Sequence, residues 1–117
     1  MTKWAIIVND SGVKNLFPAF ILASGAVASG DDVIMFFEPY AAPALKKGVL
    51  ENMKQKGMPN MADMVEGVID MGGRMLLCEL AFEVMEMKEE ELREEVEVVG
   101  VTNFVVEAED AKLTFSF

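Results

Sequence analysis

Apolar residues along this chain fall into short unbroken runs separated by segments of helical period. Trp4 to Val8, Val33 to Phe37, Met75 to Leu77 and Val96 to Val101 are each continuously apolar or nearly so, the pattern of strands covered on both faces of a parallel sheet. Lys112 to Phe117 alternates and reads as a closing strand. Leu16, Phe20, Ala23 and Val27 recur at helical spacing, which predicts a helix with Asn15 as N-cap, Pro18 in its first turn and Gly30 as its stop. Further helices are expected over Ala62 to Asp70, closed by Gly72-Gly73, from Glu79 onward, and from a cap at Thr102 or Asn103 to Ala108. Glu38 to Lys47, broken by Pro39 and Pro43, reads as a loop and, with Lys46-Lys47 beside Gly48, as a mobile lid over the carboxyl end of the sheet. Lys88 to Glu95 reads as a solvated helix face with a Glu89–Arg93 pair. Together these elements predict the α/β class: one three-layer α/β/α domain over residues 1–117, with a five-stranded, mainly parallel sheet.

Charge and apolar content narrow the partners. A net charge of −10 with no basic run repels phosphate backbones and anionic bilayers, so no nucleic acid and no membrane is expected. The longest uncharged stretch, Asn15 to Gly30, is shorter than the roughly 20 apolar residues of a membrane span. The N-terminal apolar run is too short for a signal peptide, and the expected location is the cytoplasm. An apolar share of 52% is more than a domain this small hides easily, which predicts a homo-oligomer. Eight of the ten methionines lie between Met53 and Met87, where core filling and a subunit interface are the natural uses of so adaptable a side chain.

The chemistry available is limited. With one cysteine and no histidine, an internal disulfide, the usual zinc ligand sets, a Cys-His dyad and a Ser-His-Asp triad are excluded, and neither a metal nor a cofactor is implied. Cys78 follows the Met75 to Leu77 run, at the carboxyl end of a strand where open α/β sheets collect ligands and reactive groups. A helix starting beside it would favour the thiolate, while Glu79 sets a negative charge next door. Against any chemistry stands the habit of free cysteine to serve as a small buried hydrophobe. Lys46, Lys47 and Arg74 are the candidate cationic helpers. Asn9, Asp10, Ser11 and Gly12, also at a strand's carboxyl end, could offer backbone N–H groups to an anion or, with Tyr40, line a small-ligand pocket. A phosphoacceptor receiver domain would need an aspartate where Cys78 stands.

In order and spacing, ILASGAVASGDDVIMFF, LKKG, LLCELAFEVMEMKEEEL and VEVVGVTNFVVEAEDAKLTF resemble the DsrE/DsrF-like sulfur-relay family, near its peroxiredoxin-like branch. The resemblance implies a parallel α/β/α fold, a homo-oligomer, and a cysteine, by position Cys78, that carries sulfane sulfur as a persulfide between a donor and an acceptor thiol. Such a sulfurtransferase-type carrier needs no cofactor. The chain departs from the family after the cysteine: Ala81 and Phe82 stand where a serine and a methionine are usual, and Met85-Glu86 where a Met-Gly turn is. Loss of that glycine removes the expected stop and extends the predicted helix toward Lys88 to Glu95. The alternative function is a non-catalytic oligomeric binding protein for a small ligand, with Cys78 part of the core.

Overall fold

The apolar runs become the strands β1 (Lys3–Val8), β2 (Asp32–Phe37), β3 (Arg74–Cys78), β4 (Val96–Val99) and β5 (Leu113–Ser116) in the computed structural model, which describes residues 1–117. Their order is β4-β3-β2-β1-β5, and every neighbouring pair is parallel, so the sheet is wholly parallel. The helices are α1 (Val13–Ala28), α2 (Met61–Asp70), α3 (Ala81–Val84) and α4 (Val101–Ala108). None is long and apolar enough to cross a membrane.

Chain direction explains the layers. From β1 to β4 the chain steps one way across the sheet, and from β4 to β5 it jumps back past three strands. Right-handed crossovers running in opposite directions lie on opposite faces. Accordingly α1, α2 and α3 share one face, over a core of 26 buried residues, while α4 has the other face to itself, over a core of six. Alternation along the strands divides the side chains: Ile6, Val8, Met35, Phe37, Met75 and Leu77 enter the large core, whereas Ala5, Ile34, Phe36, Leu76 and Cys78 enter the small one. Most methionines fill core gaps, and beyond the N-terminus only Met58 and Met71 are strongly exposed.

Several local expectations are corrected. Helix α1 begins at Val13 with Gly12 as N-cap, so Pro18 lies inside it. Seven buried α1 residues, among them Leu16, Phe17 and Phe20, hold the helix together across that break in its hydrogen bonds. Helix α4 is capped by Gly100, upstream of Thr102 and Asn103, which ends β4 at Val99. Pro39–Leu45 is a 3-10 helix whose Ala41, Ala42, Ala44 and Leu45 are fully buried. A segment with four side chains in the core is a packed wall, and the lid reading fails.

The same rule ends three helices with two kinds of residue. After α1 and α2 the chain turns through Gly30 and Gly72, both at positive φ; their own amides donate to Val27 O and Ile69 O, and the next amides, of Asp31 and Gly73, to Ala26 O and Val68 O. After α3 the left-handed position is taken by Glu86, at φ 51°, with Glu86 N–H bonding Glu83 O and Met87 N–H bonding Phe82 O. A Met-Glu pair thus makes the turn expected of Met-Gly, and the helix does not run on. Residues Glu89–Glu91 form a separate 3-10 turn, and Arg93 bonds Glu51 and Glu95 in place of Glu89. Gly73 has another reason: a Cβ there would stand 2.5 Å from Val68 Cγ1.

Candidate functional site

In an open α/β sheet the natural crevice lies where adjacent strands send their following segments to opposite faces. Here that place is between β3, which leads to α3 on the large-core face, and β4, which leads to α4 on the other. Cys78 is the last residue of β3 and is paired with Val99, the last of β4. Beyond them the Glu79 amide donates to Val99 O at 3.0 Å, extending the ladder by one bond. The Glu79 carboxylate lies against Gly100, where a Cβ would be 3.3 Å from Oε1. Glycine at the α4 N-cap therefore leaves room for this side chain at the mouth of the crevice.

The thiol itself is covered. Cys78 is 2% exposed and belongs to the cluster of Ala5, Ile34, Phe36, Leu76 and Phe104. Phe104 of α4 stacks on Phe36 with ring centroids 4.1 Å apart and planes within 9°. Arg74 ties β3 and β4 to α4, donating to both Glu97 carboxylate oxygens at 2.8 and 2.9 Å and to Glu107 at 2.5 Å. Hydrogen bonds to those carboxylates raise the guanidinium pKa, and the bond from Arg74 holds the Glu97 carboxyl below the ordinary glutamate range. The expected helix beside the thiol is one turn, Ala81–Val84, starting three residues on. A single turn has too few aligned peptides to act as a dipole on sulfur. By contrast Leu80 and Val84 after Cys78, and Val101 of α4, are about half exposed.

The other candidates do not converge on the cysteine. Asn9, Asp10, Ser11 and Gly12 follow β1, two strand spacings from β3, or about 10 Å. Tyr40, 65% exposed, and Lys46 flank the wall that packs on the large core, across the sheet from the Cys78 side chain. Lys46 pairs with Glu91 at 3.4 Å, and the Lys47 amide donates to Glu91 O. Both anchor the 88–92 segment. Arg74 shares the Cys78 face of β3 but stands four residues down the strand, about 13 Å away, and is bound to two glutamates. Glu79 and Gly100, by contrast, were not singled out by sequence reasoning as a pair; their contact depends on β4 lying beside β3. No group of three or more acidic or thiol side chains gathers to hold a metal ion.

Comparison with known proteins follows the same lines. Residues 42–115 match the model of the DsrE/DsrF/DrsH-like family. The uncharacterized protein MJ0760 of Methanocaldococcus jannaschii is 26% identical over 102 residues, an alignment covering 85% of this chain and 37% of that protein. The chain thus spans little more than a third of that relative's length. The uncharacterized YrkE of Bacillus subtilis is 24% identical, with 96% of this chain and 95% of YrkE covered. Among solved structures, the ychN protein of E. coli superposes with a TM-score of 0.80 at 21% identity over the whole of both chains. MTH1491 of Methanobacterium thermoautotrophicum, a protein of unknown function, reaches 0.74 at 11% identity, with 98% and 97% covered. At these identities the structural likeness speaks for the fold alone.

Proposed function

Because this chain belongs to the DsrE/DsrF/DrsH-like family, we propose that it is a sulfur carrier of a relay, with Cys78 Sγ as the atom that holds the cargo. The observation that carries the reading is the position of the single cysteine, at the switch point between β3 and β4. The chemistry is redox-neutral. The thiol gives its proton to solvent, and the thiolate attacks a terminal sulfur of a donor persulfide or polysulfide. One S–S bond forms and one breaks, leaving Cys78 as a persulfide and the donor one sulfur shorter with the electron pair. An acceptor thiolate then takes the outer sulfur by the same exchange. No second cysteine is present to resolve the persulfide internally, so donor and acceptor are other molecules, and no cofactor takes part.

A carrier must present its sulfur, and Cys78 is 2% exposed. On this reading α4, whose Phe104 shares the Cys78 cluster, moves aside to uncover it. The exposed valines of α4, Val101, Val105 and Val106, and Leu113 and Phe115 of β5 offer apolar surface for assembly into a homo-oligomer, which we include in the reading along with a reducing, cytoplasmic setting.

Mass spectrometry after exposure to polysulfide tests it. One added sulfur per chain, removable by reductant and absent in Cys78→Ala, is the expected result. The burial of Cys78 favours a second reading, a binding protein with Cys78 as core and a ligand near Asn9, Asp10, Ser11, Gly12 and Tyr40. An unmodified mass, with Cys78 alkylated only on unfolding, selects it.

A further inference from the structure

The carboxyl end of the sheet carries a charge pattern that any molecule reaching Cys78 has to meet. Strand β2 leaves the sheet through Glu38, whose amide donates to Val8 O at 3.0 Å and whose backbone is still extended, at φ −76° and ψ 169°. Glu38 continues the alternation of Ile34 and Phe36, which face the small core. Phe37 is paired with Leu77, so one step on Glu38 stands beside Cys78, on the same face and about 5 Å away between backbones. On the other flank Glu79 follows Cys78 in the chain and lies against Gly100. The sulfur thus has one carboxylate on its β2 side and one on its β4 side.

No cation balances them. Lys3 and Arg74 share this face but stand at the amino ends of β1 and β3, paired with Asp110 and with Glu97 and Glu107. Lys112 lies at the same end, its amide donating to Lys3 O. Helix α4, VTNFVVEA, has neither lysine nor arginine. Lys14 belongs to α1, and the 46–56 and 88–93 segments pack through Leu50, Met87 and Leu92 on the large core, across the sheet.

From this pattern, and resting on the carrier reading above, we infer that Cys78 selects its sulfur donors and acceptors by charge: it exchanges with a protein thiol set among basic side chains and disfavours small anionic donors. Thiosulfate and inorganic polysulfide are dianions and meet both carboxylates. The exchange itself is unchanged, one S–S bond formed and one broken, and Glu38 and Glu79 act on the approach alone. Both lie within about one Debye length of the sulfur, roughly 10 Å at 0.1 M salt. Across roughly 8 Å of water they slow a singly charged anion by about fivefold at low salt and favour a cation by the same factor. Polysulfide still loads the thiol, more slowly, and to the same final mass.

Alkylation separates the charge from the sulfur chemistry. Iodoacetamide and iodoacetate differ by one negative charge, and at low concentration both wait on the same uncovering of Cys78, so the opening step cancels from the ratio of their rates. Relative to cysteine in an uncharged peptide, iodoacetate should be disfavoured a further fivefold or so at low salt, and about 1 M salt should remove the difference. Glu38→Gln and Glu79→Gln should each recover about twofold, and the double variant all of it. Mass spectrometry then tests the donor: a peptide persulfide flanked by lysines should load Cys78 several-fold faster at low salt than one flanked by glutamates. A reagent ratio equal to that of the peptide, or one that the double variant leaves unchanged, overturns the proposal. Equal loading by the two persulfides also overturns it while the carrier reading stands; loading by neither ends the carrier reading and this proposal together.

Discussion

At the scale of single residues, Glu86 shows how a fold keeps a turn after losing the residue that suits it. The left-handed conformation brings a side chain against its own backbone and costs roughly 1–2 kcal/mol outside glycine. The turn at Glu86 persists because Ala81, buried in the large core, and Met87, also buried, fix the chain on either side. Glu86→Gly should therefore stabilise the protein by about 1 kcal/mol, seen as a higher urea midpoint at unchanged slope. No change, or a lower midpoint, would mean that the glutamate side chain contributes something its φ of 51° conceals. The same position marks a boundary of sequence reading. Gly30 and Gly72 announce their stops by composition, and both helices end there. Glu86 announces nothing, because tertiary anchoring imposed a backbone state that local preference opposes.

Among elements, α4 is thinly anchored. Its one buried side chain is Phe104, stacked on Phe36, and Arg74 ties its last turns to β3 and β4 through Glu107. Truncating a buried phenylalanine costs about 3–5 kcal/mol, and Phe104→Ala should also speed alkylation of Cys78 in the native protein. If the stability falls and the thiol stays as protected as before, α4 is not what covers it. The Arg74 cluster gives a pH dependence. Glu97 has a depressed folded pKa, so its contribution is present above the unfolded value of about 4.3 and is lost as pH falls through the folded one. The Arg74 side chain is 40% exposed, and screening limits the effect to about 1 kcal/mol or less. Arg74→Gln should lower stability near pH 6 and cost less at about pH 2–3; an equal cost at both would assign the loss to packing. That a short helix runs to Ala108 was legible, although its start was read at Thr102 or Asn103 and Val101 was given to the strand before it. Its solitary place on one face was not, since that follows from strand order, which no local pattern encodes.

For the whole molecule, the apolar runs were enough to read a parallel α/β sheet, because β2 and β3, buried on both faces, leave no polar alternation to misread. They were not enough to read the crevice, since Glu79 meets Gly100 only once β4 lies beside β3. Nor did they separate Tyr40, Lys46 and Lys47 from Cys78, because which face a residue takes depends on register. Assembly is predicted at this scale. The valines of α4 should be occupied, and sedimentation at micromolar concentration should report an oligomer that Val105→Lys shifts toward smaller species. A parent protein that sediments as a monomer at that concentration removes the argument.

The smaller core has a kinetic consequence. Five buried sheet residues and Phe104 of the eight-residue helix above them make a unit that can open while the larger core stays folded. If Cys78 reacts only in the open form, its observed rate is the chemical rate multiplied by the open fraction. Every 1.4 kcal/mol of local stability then slows uptake about tenfold, whatever the intrinsic nucleophilicity of the sulfur. At high reagent concentration the rate should cease to rise and settle at the opening rate of α4. The same limit should appear in the hydrogen exchange of its amides, so that a helix with no reacting atom sets the clock for the thiol beneath it.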